Sequence, residues 1–536
     1  MSGERALEKL NASDVRVLLL WILAGIIGAG VAYKYFYRAF PEASVDFKVP
    51  RDEALAEARS FASAQGAQLD GYRTNIVFNV DDAAKTYLER GVGLEQANRL
   101  MAGKISVWYW DARFFRPLQK EEFGVSVDPS GRIVGYKHVL EEAAPGARLE
   151  RAAAQADAAA LLSDTLHVDL SRYDFLDAEA NSTERPNRRD WSFTWERKNF
   201  RAKDAPYRLS VQLAGDRISG YDEFLKVPEA WTRSYARLRS SNDLVEAIAL
   251  LPYGFLFGAC LYVIFGLGRR GMLNWKGALV LGLILTALWF AETMNELPLK
   301  WADYDTNSPA ATFVLMQIAL ALLISISEAL TVVLAVVPGE PLYRVSQPEK
   351  LRLGVAFRLS GIRSKEFFRA CVIGLCLAAV HIGYITIFYI VGGKFGVWAP
   401  QDINYTDIVA TPFPWIYPLT IRVIVATSEE FLFRFFSIPF LHRITKSKFL
   451  AIVLPAFAWG FLHANYPVEP AYIRGIEIGL IGIVAGLVML RWGIVATLVW
   501  HYTVDASLVG IALLSTTSLY LRVSGAIVAA AALMRW

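Results

Sequence analysis

Apolar residues along this chain gather in runs of roughly 17–25 residues, the length that crosses a hydrocarbon core of about 30 Å as a helix. The first, Val17 to Ala32 (VLLLWILAGIIGAGVA), follows a polar start with Arg5, Lys9 and Arg16. A cleaved signal peptide is the rival reading. No small-x-small site precedes Tyr33-Lys34-Tyr35, which favours an uncleaved anchor. Further runs centre near 247–267, 275–290, 311–337, 367–391, 416–440, 449–465, 471–490, 493–513 and 517–534. The pattern predicts about ten spans.

The loops between them alternate in charge. Gly268-Arg269-Arg270 with Lys276, then Arg344 to Lys365, His442 to Lys448, Arg491 and Arg535 are basic. ELPLKWADYDTNSP and APQDINYTD are acidic or neutral. Basic loops stay on the cytoplasmic side, so the N-terminus is expected inside. Loops of this kind account for the net charge of +4 without nucleic acid as a partner.

Residues 35–245 break the apolar pattern and are expected to form a globular domain on the outer side. GVSVDPSGRIVGY (Gly124 to Tyr136) resembles RLSVQLAGDRISGY (Arg208 to Tyr221), and VWYW (Val107 to Trp110) resembles SFTW (Ser192 to Trp195). Each stretch follows an Ala/Glu-rich helical segment, Asp52 to Ala64 and Leu149 to Leu162. The strand-like alternation and Gly/Asp turns predict two modules, each a helix followed by a small antiparallel sheet. Such units resemble the small sensor or inhibitor-like modules of the PepSY or cystatin type. This domain shows no pair of acids or histidines that forms an obvious site, and a binding or scaffold role is expected, with an unidentified ligand or protein as partner.

The chain has 536 residues, is 54% hydrophobic and contains three cysteines. Cys260, Cys371 and Cys376 all fall in apolar runs, which leaves no disulfide framework and no cysteine-based metal site. The expected organisation is 1–34 as anchor, 35–245 as extracytoplasmic domain, 246–364 as three further spans with a basic inner loop, and 365–536 as an intramembrane core.

That core carries charge where charge is expensive. In SEEFLFRFF, Glu430 and Arg434 are four residues apart and share a helix face, so they can pair. Glu429 has phenylalanine four residues on and keeps a free carboxylate, which suits a general base. Two of the six histidines lie in later runs: His463 in AWGFLHANY, and His501 four residues before Asp505 in WHYTVD. Bundled helices can converge such groups on one pocket. Each also has a bland reading, as an ion pair that holds helices together or a histidine that bridges them. His381, Glu328, Arg422 and the Arg474/Glu477 pair lie in or near spans without a complementary set and read as packing, interface or lumen residues.

The C-terminal part resembles the CPBP family of intramembrane proteases (CAAX prenyl proteases and Abi proteins). Its motif Glu-Glu-x-x-x-Arg is matched by Glu429, Glu430 and Arg434; Phe-x-x-x-His by Trp459 and His463, with tryptophan replacing phenylalanine; His-x-x-x-Asn/Asp by His501 and Asp505. The resemblance covers about residues 365–515 and implies peptide-bond hydrolysis in the membrane. It implies catalytic roles for Glu429, Glu430, Arg434, His463, His501 and Asp505, and a divalent metal such as zinc, if present, on Glu429, His463 and His501. The tryptophan is expected to alter pocket shape more than chemistry. The zinc helix His-Glu-x-x-His and an intramembrane Gly-x-Ser-x-Gly are absent.

The expectation is therefore an α-helical polytopic membrane protein with an α+β outer domain of two similar modules, a hydrolase of a peptide or membrane-protein substrate in a bacterial plasma membrane. The alternative is a non-enzymatic scaffold, immunity factor or transporter using the same polar pocket.

Overall fold

The apolar runs are helices. The computed structural model describes residues 9–40, 48–399, 408–514 and 516–534. Arg5, Arg535 and residues 400–407 of one expected outer loop lie outside the described residues. The long apolar helices are α1 (Ala12–Ala39), α6 (Glu229–Gly268), α7 (Trp275–Lys300), α8 (Ala310–Ser346), α11 (Lys365–Gly393), α15 (Ile473–Trp492) and α16 (Ile494–Leu514). Among the described residues, seven helices are long and apolar enough to cross a membrane, and these are the seven. The other three expected runs are helical but differ in kind. One is split into α12 (Ile416–Glu430), a π-helical turn over Phe431–Phe436 and α13 (Ser437–Thr445). Another, α14 (Lys448–Phe461), has only 14 residues, and α17 (Leu519–Met534) has 16. Outward-facing leucines such as Leu20, Leu251, Leu283 and Leu315 give the bundle an apolar exterior, as a lipid-facing surface requires.

The N-terminal run packs as part of the bundle. Helix α1 lies along α11 at Gly28, where an added Cβ would come within 2.5 Å of the Ala379 carbonyl oxygen, and Gly383 in turn meets the Gly28 backbone. Small residues let two helices approach this closely in a membrane. Asp14 ties the other end of α1 to Arg369 at 2.7 Å.

The polar stretch folds into one antiparallel sheet. Its strands are β1 (Arg73–Val80), β2 (Trp108–Phe115), β3 (Glu122–Val127), β4 (Ile133–Val139), β5 (Tyr173–Phe175), β6 (Asn181–Arg185), β7 (Arg188–Ala202), β8 (Ala205–Ala214) and β9 (Arg217–Leu225). The order is β1-β2-β3-β4-β9-β8-β7-β5, with β6 also on β7. The two stretches that resemble each other in sequence meet at β4–β9, where Tyr136 pairs with Tyr221. Helices α2 (Arg51–Ala64) and α5 (Arg151–Ala160) bury alanine stripes, Ala54, Ala58 and Ala62 on one and Ala154 and Ala158 on the other. Phe61 of α2 meets Tyr136 edge-on at 5.4 Å.

The sheet domain sits on one end of the bundle. The Asn75 side chain donates to the Pro298 carbonyl at 2.6 Å. Arg113 donates to the carbonyls of Trp301, Ala302 and Tyr304 at 2.9–3.2 Å. Helix α3 (Asp82–Val92) sends Arg90 to an ion pair with Glu469. Helix α6 runs without a break from the sheet domain into the bundle, so the expected boundary near residue 245 falls inside a 40-residue helix. The cysteines are free, with Cys260 and Cys371 buried.

Candidate active site

The polar residues of the last spans converge. Glu429 and Glu430 end α12 just before the π turn that contains Arg434. A π turn inserts one extra residue per hydrogen-bonded turn and commonly marks functional positions. Here all six of its residues are buried. Arg434 Nη1 donates to Glu430 Oε1 at 2.9 Å, the pairing expected from their spacing. The same Glu430 oxygen lies 3.0 Å from His501 Nδ1. Both members of the ion pair are buried, and the Arg434 guanidinium stacks on the Trp459 ring with 3.8 Å to the centroid.

Glu429 occupies the other wall. Its Oε2 lies 3.6 Å from His501 Nε2 and 4.0 Å from His463 Nε2. Glu429 and His463 side chains keep 23% and 22% of their surface exposed, whereas His501 keeps 8%. The site is therefore enclosed on the Glu430 side and open on the Glu429–His463 side. His463 follows α14 and its Nδ1 lies 3.0 Å from the Trp459 carbonyl. His501 Nε2 also lies 3.9 Å from Asp505 Oδ2 on the same face of α16. All six residues of the expected site thus come together.

His501 lies between the two glutamates, with Nδ1 3.0 Å from Glu430 Oε1 and Nε2 3.6 Å from Glu429 Oε2. Two details differ from the sequence-based expectation. Arg422, read from sequence as a packing residue, reaches Asp505 at 3.6 Å. It lies on α12, about two turns before Glu429, a placement that helix periodicity alone makes visible. The change of Trp for Phe at 459 has chemical content: the indole Nε1–H donates to Glu429 Oε2, a bond phenylalanine cannot make. A further set, His381 beside Glu477 at 3.9 Å and Glu477 bonded to Arg474, packs behind Trp500, with the His381 and Trp500 rings 5.6 Å apart.

The expected metal ligands Glu429, His463 and His501 meet without making a metal-type set. Among the described residues no group of three or more His, Cys, Asp or Glu side chains is arranged to hold a metal ion. The one oxygen that faces both imidazoles carries the Trp459 hydrogen bond. The residues do not fit the ion in this arrangement.

Residues 411–507, which contain all six residues of the expected site, match the family described as Type II CAAX prenyl endopeptidase Rce1-like. The match falls on the C-terminal part, which is similar to that family. The Rce1-like stretch is also similar to the sporulation-killing factor biosynthesis protein SkfC of Bacillus subtilis (strain 168), at 22% identity over 104 residues. The aligned stretch is 19% of this chain and 21% of SkfC, so the chain spans about a fifth of that relative's length. No solved structure matches the chain. The family is one of proteases, and the Rce1-like part begins in α12's leading loop and ends within α16. The chain up to the end of α11 at Gly393, the sheet domain included, lies outside it.

Trp459→Phe is expected to leave the fold intact, since an aromatic ring still supports Arg434. It removes one hydrogen bond to a carboxylate, an interaction of about 1.5–3 kcal/mol, so turnover of a peptide substrate should fall by about ten- to hundredfold. Measurement of kcat in detergent or nanodiscs checks this.

Proposed function

We propose that the chain is an intramembrane endopeptidase in which Glu429 activates water. The observation that carries this reading is the placement of Glu429 Oε2 at 3.6 Å from His501 Nε2 and 4.0 Å from His463 Nε2, in a pocket open on one side. Both separations exceed a direct hydrogen bond and suit a bridging water. Glu429 takes a proton from that water as its oxygen attacks the scissile carbonyl carbon. His501, held through Nδ1 by Glu430, presents Nε2–H to the oxyanion that forms. The C–N bond then breaks, and the proton on Glu429 passes to the leaving nitrogen directly or through His463. Arg434 balances the buried Glu430, and Asp505, beside Arg422, orients His501 as an acceptor.

The test is cleavage of peptides or membrane-protein termini by the purified full chain in nanodiscs, with and without a strong chelator. Equal turnover in both is the expected result. Loss of activity on chelation, restored by added zinc, would replace the glutamate-activated mechanism with a metal-activated one.

We further propose that the sheet domain is extracytoplasmic, built from two copies of one module, and that the chain crosses the membrane ten times. Its support is the arrangement of charge: Arg269, Arg270, Arg352, Arg358, Arg363, Arg443 and Arg491 lie in or beside the connections at the far end of the bundle from the sheet. A cysteine placed at Asp128 should react with a membrane-impermeant maleimide from outside the cell. Labelling from the cytoplasmic side alone would invert the topology.

A further inference from the structure

Helix α14 has 14 residues and is about 21 Å long, short of the about 30 Å of a hydrocarbon core. It starts at the end of the bundle with the basic connections, and the segment 462–472 between it and α15 is irregular backbone that reaches Arg90 of the sheet domain at Glu469. Such backbone persists only where protein or water satisfies its polar groups. His463 stands at the head of this segment.

Side chains from outside the Rce1-like stretch close on it. Asn242 of α6 is fully buried and donates from Nδ2 to the Val468 carbonyl at 3.0 Å. One helical turn earlier, Arg239 donates to the Asn465 carbonyl. Arg90 of the sheet domain pairs with the Glu469 carboxylate. The Glu469 backbone pairs in both directions with Trp398, at 2.8 and 2.9 Å. The segment's own backbone bonds are few and local, such as Ala464 N–H to the Phe461 carbonyl at 3.1 Å and Val468 N–H to the Tyr466 carbonyl at 2.7 Å.

We infer that Asn242 and Arg239 are positioning residues for His463: the helix leading out of the sheet domain fixes the loop that sets the imidazole against Glu429. This rests on the endopeptidase reading. His463 is held on its N-terminal side by its backbone N–H to the Gly460 carbonyl at 3.1 Å and by the Trp459 carbonyl at Nδ1, and on its C-terminal side by the loop. Without the C-terminal hold, the imidazole can swing away from Glu429 as the loop relaxes. Reaction rate is steep in such displacements, with about 1 Å costing about a hundredfold. The extramembrane domain thereby becomes part of the catalytic apparatus although it contributes no group that touches substrate.

Asn242→Leu keeps the volume and removes the donor. Arg239→Met keeps the stem and removes the guanidinium, and Arg239→Lys keeps a cationic donor. Full-length proteins in nanodiscs should be compared for kcat and KM on a peptide that the wild type cleaves, per mole of folded protein, with hydrogen–deuterium exchange of segment 462–469 followed alongside. Asn242→Leu and Arg239→Met are expected to lose about ten- to hundredfold in kcat with KM within about twofold. Exchange should quicken in the loop, and Arg239→Lys should recover most of the rate. If Asn242→Leu does not fold, Arg239→Met decides the matter alone, because its side chain is partly exposed and tolerates truncation. Unchanged kcat in folded Arg239→Met overturns the inference, as does a rate loss that Arg239→Lys does not repair. A wild type that cleaves nothing overturns the endopeptidase reading itself, which is a different result from a wild type that cleaves and variants that match it.

Discussion

Glu429→Gln should yield a protein that folds, inserts and melts like the wild type and cleaves its substrate about 10³-fold more slowly, within the range for loss of a general base. Glutamine keeps the volume and still accepts the Trp459 indole N–H through its amide oxygen. It cannot take a proton from water. The Glu429 side chain is partly exposed, so its loss leaves no buried charge without a partner. Single-turnover and steady-state assays on matched amounts of folded protein read the effect. Turnover within a factor of about ten of wild type would remove Glu429 from the chemistry.

The neighbouring glutamate should behave in the opposite way. Glu430 and Arg434 are buried almost completely, and Glu430 Oε1 serves both Arg434 and His501. Removing one partner of a buried ion pair costs about 3–5 kcal/mol, because the other charge is left uncompensated. Glu430→Ala or Arg434→Met should therefore cut folded yield and thermal stability sharply, before any assay of rate. The double change Glu430→Gln with Arg434→Met removes both charges and should recover much of the yield. It should not recover activity, because His501 then lacks the carboxylate that holds its Nδ1. A double variant with both yield and turnover restored would make the pair structural glue and nothing more. The contrast between two adjacent glutamates, one tolerant of substitution and one not, follows from burial alone.

Much of this could be read along the chain. The spacing of Glu430 and Arg434 specifies their pairing, since four residues is close to one helical turn. The same spacing puts His501 and Asp505 on one face of α16. The apolar runs mark the helices because a bilayer demands long unbroken ones. The runs at 416–440 and 449–465 were the least legible: charge and a π turn interrupt the first, and the second yields a 14-residue helix with an irregular tail. Hydropathy windows report average composition and do not register either break. The role of Trp459 was only half visible. The motif position marks an aromatic ring, whereas the bond from its indole to Glu429 depends on how α14 is rotated against α12.

The sequence by itself determined which segments are apolar helices, which stretch forms the strand-rich domain, and which six polar residues stand in the core at helical spacing. These are local properties, set by periodicity and by the cost of placing charge in hydrocarbon. Only the tertiary structure decided that Glu430 serves Arg434 and His501 through one oxygen, that Arg422 reaches Asp505, and that the two strand-rich stretches meet at Tyr136 and Tyr221 in a single sheet. It alone brought Arg90, Arg239 and Asn242 to the loop after His463. Those contacts join residues more than two hundred positions apart. No period or motif encodes such a pairing. It arises from the packing of α6 against α14 and from the need of buried carbonyls for donors, whatever part of the chain supplies them.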